Sequence, residues 1–380
     1  MTAAPAKARV GETAVLEIGA PANGGSCVAR WQGQVVFVRH ALPGEEVVAR
    51  FTSVGSSFAR ADAIEVLRAS PHRVEPPCPV AGRCGGCDLQ HVAPDEQREL
   101  KRLVVAEQLR RLAGIDWTGS VVAVEPALGW RTRMRYLRTR TGALGLRGHR
   151  AHDVVALPAG GCRIAAPAIA APAAPRGSRE VLALATGSGT AIRDAARPGP
   201  PVVQRALGRD WAVAADGFWQ SHLGAPECLV AAVLDGLDPR PGERAVDLYC
   251  GVGLFAGVLV ERGLAVTGIE GDRDAVAHAR ANVPGAEFLA GDVQERLAAD
   301  DRPADLVVLD PPRVGAGPQV MASIAALAPR AVAYVSCDIA TLARDLATAD
   351  TLGYRLADLA VFDLFPMTHH VESVAILERR

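Results

Sequence analysis

From about Arg205 onward the chain alternates short apolar runs with helical stretches, and the runs close on polar or glycine-bearing turns. Residues 245–249, 265–270, 306–309 and 331–335 read as buried strands, and 254–262 and 272–282 as helices. Apolar runs this short, separated by helical stretches, predict a doubly wound α/β fold. Ligands of such sheets bind at the carboxyl ends of the strands. The residues that close each run are therefore the first candidates for chemistry.

The first run passes through Asp247-Leu248-Tyr249-Cys250 into Gly251-Val252-Gly253 and a helix. Glycines there let a ligand approach the backbone closely. Ala256 stands where a dinucleotide fingerprint places its third glycine, a position that accepts alanine. The turn thus admits either a nicotinamide or S-adenosylmethionine. Glu270, closing the second run where an acid can bind ribose hydroxyls, suits both. Asp292 follows Ala290-Gly291, where it can hold an adenine amino group, and Asp310 opens Asp310-Pro311-Pro312-Arg313. Those prolines lack donors and stiffen the loop. Both acids weigh toward S-adenosylmethionine.

Tyr334-Val335-Ser336-Cys337-Asp338 puts Cys337 at the same sheet edge, just ahead of a helix start. A helix N-terminus lowers a thiol's pKa, so a thiolate is expected. Glu372 precedes the strand 373–377, predicted to run antiparallel. A thiolate, a carboxylate and a sulfonium methyl donor suit methylation of uracil C5. That carbon is a weak nucleophile until a thiolate adds at C6, and a base must then remove the C5 proton.

Residues 8–68 read as an all-β module. Ala14, Leu16 and Ile18 share a face, 35–38 and 47–51 are strand-like, and Gly24-Gly25 and Gly33 punctuate. An OB-like barrel, a shape that often holds RNA, is expected. Cys78, Cys84 and Cys87 then form a C-x5-C-x2-C run, with Cys162 as a fourth metal ligand. Zinc sites more often show two C-x2-C pairs, so this pattern better suits a cluster on four thiolates, with zinc as the alternative. Residues 94–112 read as a helix opened by Pro94, and 118–165 as strands with an arginine-dense stretch from Arg131 to Arg150. The Ala/Pro/Gly-rich stretch 165–200 reads as loop or a reduced subdomain. The expected division is a barrel over 1–69, a small β-rich central domain with a metal cluster over 70–203, and a Rossmann-like catalytic domain over 204–380. The helix 94–113 is placed to pack on the last of these.

In their order and combination, five motifs resemble the RNA uracil-5-methyltransferase family. They are Phe218-Trp219-Gln220-Ser221-His222, 247–253 with its Gly-x-Gly turn, Asp310-Pro311-Pro312-Arg313, Ser336-Cys337 and His370-Val371-Glu372. The resemblance implies that Gln220, Tyr249, Gly251, Glu270, Asp292 and Asp310 surround S-adenosylmethionine, that Cys337 adds to C6 and that Glu372 is the base. Leu254 replaces an asparagine of several relatives, which puts that one contact in doubt. Cytosine-5 RNA methyltransferases carry a cysteine in the strand-four loop, and this loop has none. The resemblance also implies a [4Fe-4S] cluster on Cys78, Cys84, Cys87 and Cys162, as in the ribosomal RNA branch, because the tRNA branch usually lacks it. The barrel resembles a TRAM domain, and Trp130 to Arg135 the family's arginine-bearing strand. With Arg138, Arg140, Arg147, His149 and Arg150 that strand is the best local RNA patch.

The composition limits the partners. A net charge of −1 carries no global attraction to nucleic acid, so RNA must be held by local patches. Lys7 and Lys101 are the only lysines among the basic residues. No signal segment or membrane-length apolar run stands out, so a cytoplasmic monomer is expected, with its eight cysteines not in disulfides. The expected partner is RNA, ribosomal before transfer RNA. A tRNA methyltransferase, or a non-catalytic RNA-binding assembly factor on the same fold, is the alternative.

Overall fold

The computed structural model describes residues 8–380. Its eight-stranded sheet runs in the order Glu287–Ala290, Ala265–Glu270, Arg244–Leu248, Leu306–Leu309, Ala331–Ser336, Glu372–Arg379, Tyr354–Asp363 and Val121–Ala123. The first five are parallel, and Glu372–Arg379 runs antiparallel to both its neighbours. Strand order reverses between Arg244–Leu248 and Leu306–Leu309, which opens the crevice where ligands of this architecture bind. Ala245, Val308 and Ala333 belong to one core, and Val246, Val307 and Val332 to the other. A parallel sheet covered by helices on both faces requires such two-sided strands.

The helix Pro94–Ala113 starts with proline in its first turn and stops at Gly114, whose left-handed backbone suits glycine. Its Val105 and Leu109 share a core with Leu342 and Leu346 of the helix Ile339–Thr351. Val121–Ala123 then pairs in parallel with Val361, Phe362 and Asp363, covering the sheet edge. Both segments fall inside 70–203 yet form part of the catalytic layer.

The remaining central residues form a five-stranded antiparallel sheet that includes Arg133–Arg138, Glu180–Thr186 and Gly189–Asp194. The last two strands lie in the stretch read as loop. They form because Val181, Leu182, Ala183 and Leu184 are all buried, with Val181 opposite the buried Tyr136. The N-terminal module is a six-stranded curled sheet in which Glu46–Val54 and Phe58–Arg68 pair through several register shifts. Such bulges bend a strand pair and let it curl. Among the described residues no helix is long and apolar enough to cross a membrane.

One ion pair joins the helix Pro94–Ala113 to the sheet. Lys101 Nζ lies 2.6 Å from Asp363 Oδ1, both side chains are almost fully enclosed, and the ammonium also donates to the Phe365 carbonyl at 3.2 Å. Burial pulls the Lys101 pKa down and Asp363 opposes it. Removing one member of a buried pair leaves the other uncompensated, at a typical cost of about 3–5 kcal/mol. Lys101→Met is expected to lose stability on that scale in urea unfolding, and Lys101→Met/Asp363→Leu to recover most of it.

Candidate active site

The loop after Arg244–Leu248 turns through three left-handed residues, Tyr249 at φ 59°, Gly251 at 54° and Gly253 at 92°. A tyrosine held there costs on the order of 1–3 kcal/mol, so its surroundings must impose it. Glu270 braces the turn. One of its oxygens accepts Gly251 N–H at 3.0 Å and the other accepts Asp272 N–H at 2.8 Å. Asp247 is enclosed within the strand, where one oxygen accepts Ala256 N–H at 2.9 Å and Oδ1 has no partner. Burial pushes its carboxyl up to about 8, with Asp310 and Glu270 adding to the shift. Gln220 Nε2 donates to Asp310 Oδ2 at 3.2 Å, while burial and Glu270 push Asp310 up to about 7.

Phe218, Gln220, Tyr249, Gly251, Leu254 and Asp310 line one cavity. Glu270 and Asp292 stand outside that lining. Asp292 caps the helix Val293–Ala298 by accepting Glu295 N–H at 3.0 Å. The site suits S-adenosylmethionine on charge grounds. Glu270 raises the cost of ionising both Asp247 and Asp310 in a desolvated crevice, Asp310 adds to it at Asp247, and a positively charged sulfur would relieve it. Asp247, an acid inside an apolar run, stands in the motif 247–253 but is assigned no role by the sequence, although it breaks the local pattern.

Ser336 pairs with Ser373 across the antiparallel strands, and Ser373 Oγ donates to the Ser336 carbonyl at 2.9 Å. Cys337 and Glu372 therefore occupy the next opposing positions, at the carboxyl end of Ala331–Ser336. Burial and Asp310 raise Glu372 well above the usual carboxylate range, with Arg313 opposing. Cys337 is pushed up to about 11, chiefly by burial and then by Glu372, while Arg313 opposes. The thiolate expected from the helix N-terminus is thus absent at neutral pH. Besides burial, the reason is local: Asp338 Oδ1 accepts both Ala340 and Thr341 N–H at 3.0 Å, and its negative charge adds to the rise at Cys337. Arg313 is the countercharge, and it sits 3.2 Å from His370 Nε2.

Cys337, Arg313, His369 and His370 line a cleft whose other walls are Lys101 and, from the barrel, Asn23 and Gly24. Burial, helped by His369 and Arg313, brings His370 down to about 3, so its ring is neutral. His369 Nδ1 lies 2.6 Å from Asp88 Oδ2, and the Asp88 and Leu89 amides both donate to the Met367 carbonyl at 3.0 Å. The cysteine-bearing loop is thereby clamped onto the loop that leads to Glu372. No sequence signal links Asp88 to His369, which stand far apart in the chain.

Cys78, Cys84, Cys87 and Cys162 come within electrostatic reach of one another. Burial raises Cys84, Cys87 (to about 12) and Cys162, and other thiols of the set raise each further. Among the described residues, however, no three His, Cys, Asp or Glu side chains are set to hold a metal ion. The arginine-bearing strand is less free than its composition suggests. Arg133 donates to the carbonyls of Ala215 and Gly217 at 2.7 and 2.6 Å, and Arg138 to those of Ser178 and Gly142 at 2.6 and 2.7 Å. Arg135 pairs with Glu180 at 3.2 Å. Arg147 and Arg150 remain exposed.

The fold and the crevice define a methyltransferase of the S-adenosylmethionine-dependent class. Residues 292–380 match the family described as tRNA (Uracil-5-)-methyltransferase, 7–64 the TRAM domain and 246–310 a methyltransferase domain. An uncharacterized RNA methyltransferase of Streptomyces avermitilis is 45% identical, over 97% of this chain and 99% of its own. The 23S rRNA (uracil(1939)-C(5))-methyltransferase RlmD of Edwardsiella ictaluri is 34% identical over 93% of each chain. The crystal structure of Pyrococcus abyssi tRNA (uracil-54, C5)-methyltransferase with S-adenosyl-L-homocysteine shares the fold. Its TM-score is 0.73 at 23% identity, over 95% of this chain and 100% of that one. The chain belongs to the RNA uracil-5-methyltransferase family and is S-adenosylmethionine-dependent.

The raised Cys337 thiol sets a pH profile. Alkylation of Cys337 by iodoacetamide, followed by mass spectrometry of its peptide, is expected to keep accelerating toward pH 11 instead of levelling near the ordinary thiol value of 9.0. Arg313→Ala removes the opposing positive charge and is expected to slow alkylation at any fixed pH below that.

Proposed function

We propose that this chain methylates C5 of one uridine in 23S ribosomal RNA, with Cys337 as nucleophile and Glu372 as base. The observation that supports the assignment is the register of the two strands: Ser336 lies opposite Ser373, Cys337 and Glu372 follow directly on either side, and Cys337 lines the cleft. The ribosomal target is supported by the 34% identity to the Edwardsiella ictaluri enzyme and by the cysteine pattern. The target base must leave its stack to reach a cleft between the barrel and the sheet.

S-adenosylmethionine, when bound beside Asp310 and Gln220, supplies an electrophilic methyl group on a cationic sulfur. Cys337 gives up its proton to solvent, and Arg313 steadies the resulting charge. Its sulfur bonds to uracil C6, moving the C5–C6 π pair onto C5, which would take up the methyl group as the methyl's bond to the cofactor's sulfur breaks and the neutral thioether leaves. Glu372, as carboxylate, removes the C5 proton. The C5–C6 double bond re-forms and Cys337 leaves as thiolate. Burial and Asp310 raise Glu372 in the free protein, so binding a cation beside Asp310 favours its carboxylate form.

Cys78, Cys84, Cys87 and Cys162 would hold a [4Fe-4S] cluster. Four cysteine thiolates are the usual ligand set of such a cluster, and these four are the residues that would ligate its iron. Methyl transfer requires no electron transfer, and the proposed role of the cluster is to hold the loop around Asp88.

Cys337→Ala is expected to abolish 5-methyluridine formation and the covalent adduct with 5-fluorouridine RNA. Glu372→Gln is expected to form adduct but to release it about 10²–10⁴-fold more slowly. Mapping 5-methyluridine after gene deletion assigns the target: loss confined to transfer RNA would overturn the ribosomal assignment. Protein purified anaerobically is expected to carry iron and sulfide that Cys84→Ser loses; zinc in their place would overturn the cluster.

A further inference from the structure

A second groove lies between the barrel and the turn that carries His149 and Arg150. Its walls include Ser26, Phe37, Thr52 and Arg60 from the barrel, with His149 and Arg150 opposite. Arg60 stacks over two rings that meet edge to face, 5.8 Å from the centre of Phe37 and 5.2 Å from that of Phe58. Phe58 is 39% exposed, unusual for a phenylalanine. Arg39 is neutralised by Asp62 at 3.0 Å, whereas the charge bearing on Arg60 is another cation, Arg150.

Gly24 lines both this groove and the cleft that holds Cys337. The neighbouring Gly25, at φ 76°, fits only without a side chain. A Cβ there would lie 3.0 Å from Asp88 Cβ and 3.1 Å from His369 Cβ. The barrel loop is thus seated on the clamp, and the cleft and the groove adjoin at Gly24.

We propose that this groove is a subsite for a single-stranded RNA nucleotide flanking the target uridine, its phosphate between Arg60 and Arg150 and its base against the Arg60–Phe37–Phe58 stack. Guanidinium and aromatic faces hold unstacked bases without reading their edges, and arginines hold the phosphate. The subsite deepens the methyltransferase reading by stating how substrate beyond the target base is held. It also rests on that reading.

The probe is a 5′-labelled 12-nucleotide single-stranded RNA containing one uridine, bound to the full chain at several salt concentrations. Each phosphate contact to single-stranded nucleic acid contributes about 0.7 to the salt slope, so Arg60→Ala/Arg150→Ala is expected to flatten it by about 1.4. Phe58→Ala is expected to weaken binding roughly tenfold with the slope unchanged, because stacking is not ionic. Arg60→Lys, which keeps the charge and loses the plane, is expected to follow Phe58→Ala. Thermal melting of each variant checks that the fold is intact. Unchanged affinity and slope in folded Arg60→Ala/Arg150→Ala would overturn the subsite. If wild type binds this RNA with the expected slope but forms no 5-methyluridine in ribosomal or transfer RNA, the methyltransferase reading fails and the subsite stands.

Discussion

The segment 363–371 is held from several sides, and the position of Glu372 depends on that grip. Asp363 is fixed by Lys101 at 2.6 Å, the Met367 amide donates to Gln97 Oε1 at 2.9 Å, and the Met367 carbonyl accepts from Asp88 and Leu89. Met367 itself has a left-handed backbone at φ 68°, which only such a set of contacts keeps in place. Helix, cysteine loop and sheet therefore converge on the few residues that precede Glu372. The carboxylate is placed by long-range packing as much as by its own strand.

That placement carries an electrostatic cost with a chemical use. Glu372, Asp310 and Cys337 lie where burial favours their neutral forms, and Arg313 is the positive charge that opposes this at both Glu372 and Cys337. A free enzyme with a protonated thiol reacts poorly with stray electrophiles. On the proposed mechanism, substrate and cofactor arrive before the charges on Cys337 and Glu372 are stable. The resting state is quiet because it is desolvated.

The strand ends were legible in sequence because alternating apolar runs fix a sheet, and a sheet of this kind fixes where ligands bind. Cys337 and Glu372 followed from that logic together with the family-like motifs. The thiol's ionisation did not, because it depends on burial, Asp338 and Glu372 in three dimensions. The arginine-rich strand 130–138 was legible only in part for a related reason: Arg133 and Arg138 spend donors on carbonyls of distant loops, which composition cannot reveal. The strands at 180–194 were hidden by alanine and proline, residues that give weak strand signals until a partner such as Tyr136 buries them. Asp88, Gly25 and Phe37 gained meaning only when the barrel was seen against the cleft.

The order of strands in the eight-stranded sheet has a consequence for how the protein is made. Val121–Ala123 leaves the ribosome long before its partner Tyr354–Asp363, and Glu372–Arg379, which emerges after every other strand of the sheet, inserts beside Ala331–Ser336 in its interior. Until then Ala331–Ser336 has an open edge, with its Val332, Ala333 and Val335 ready to pair with any passing strand. The nascent chain thus carries a sticky seam down the middle of its sheet until Glu372–Arg379 has emerged. That interval is when a chaperone would matter most to it.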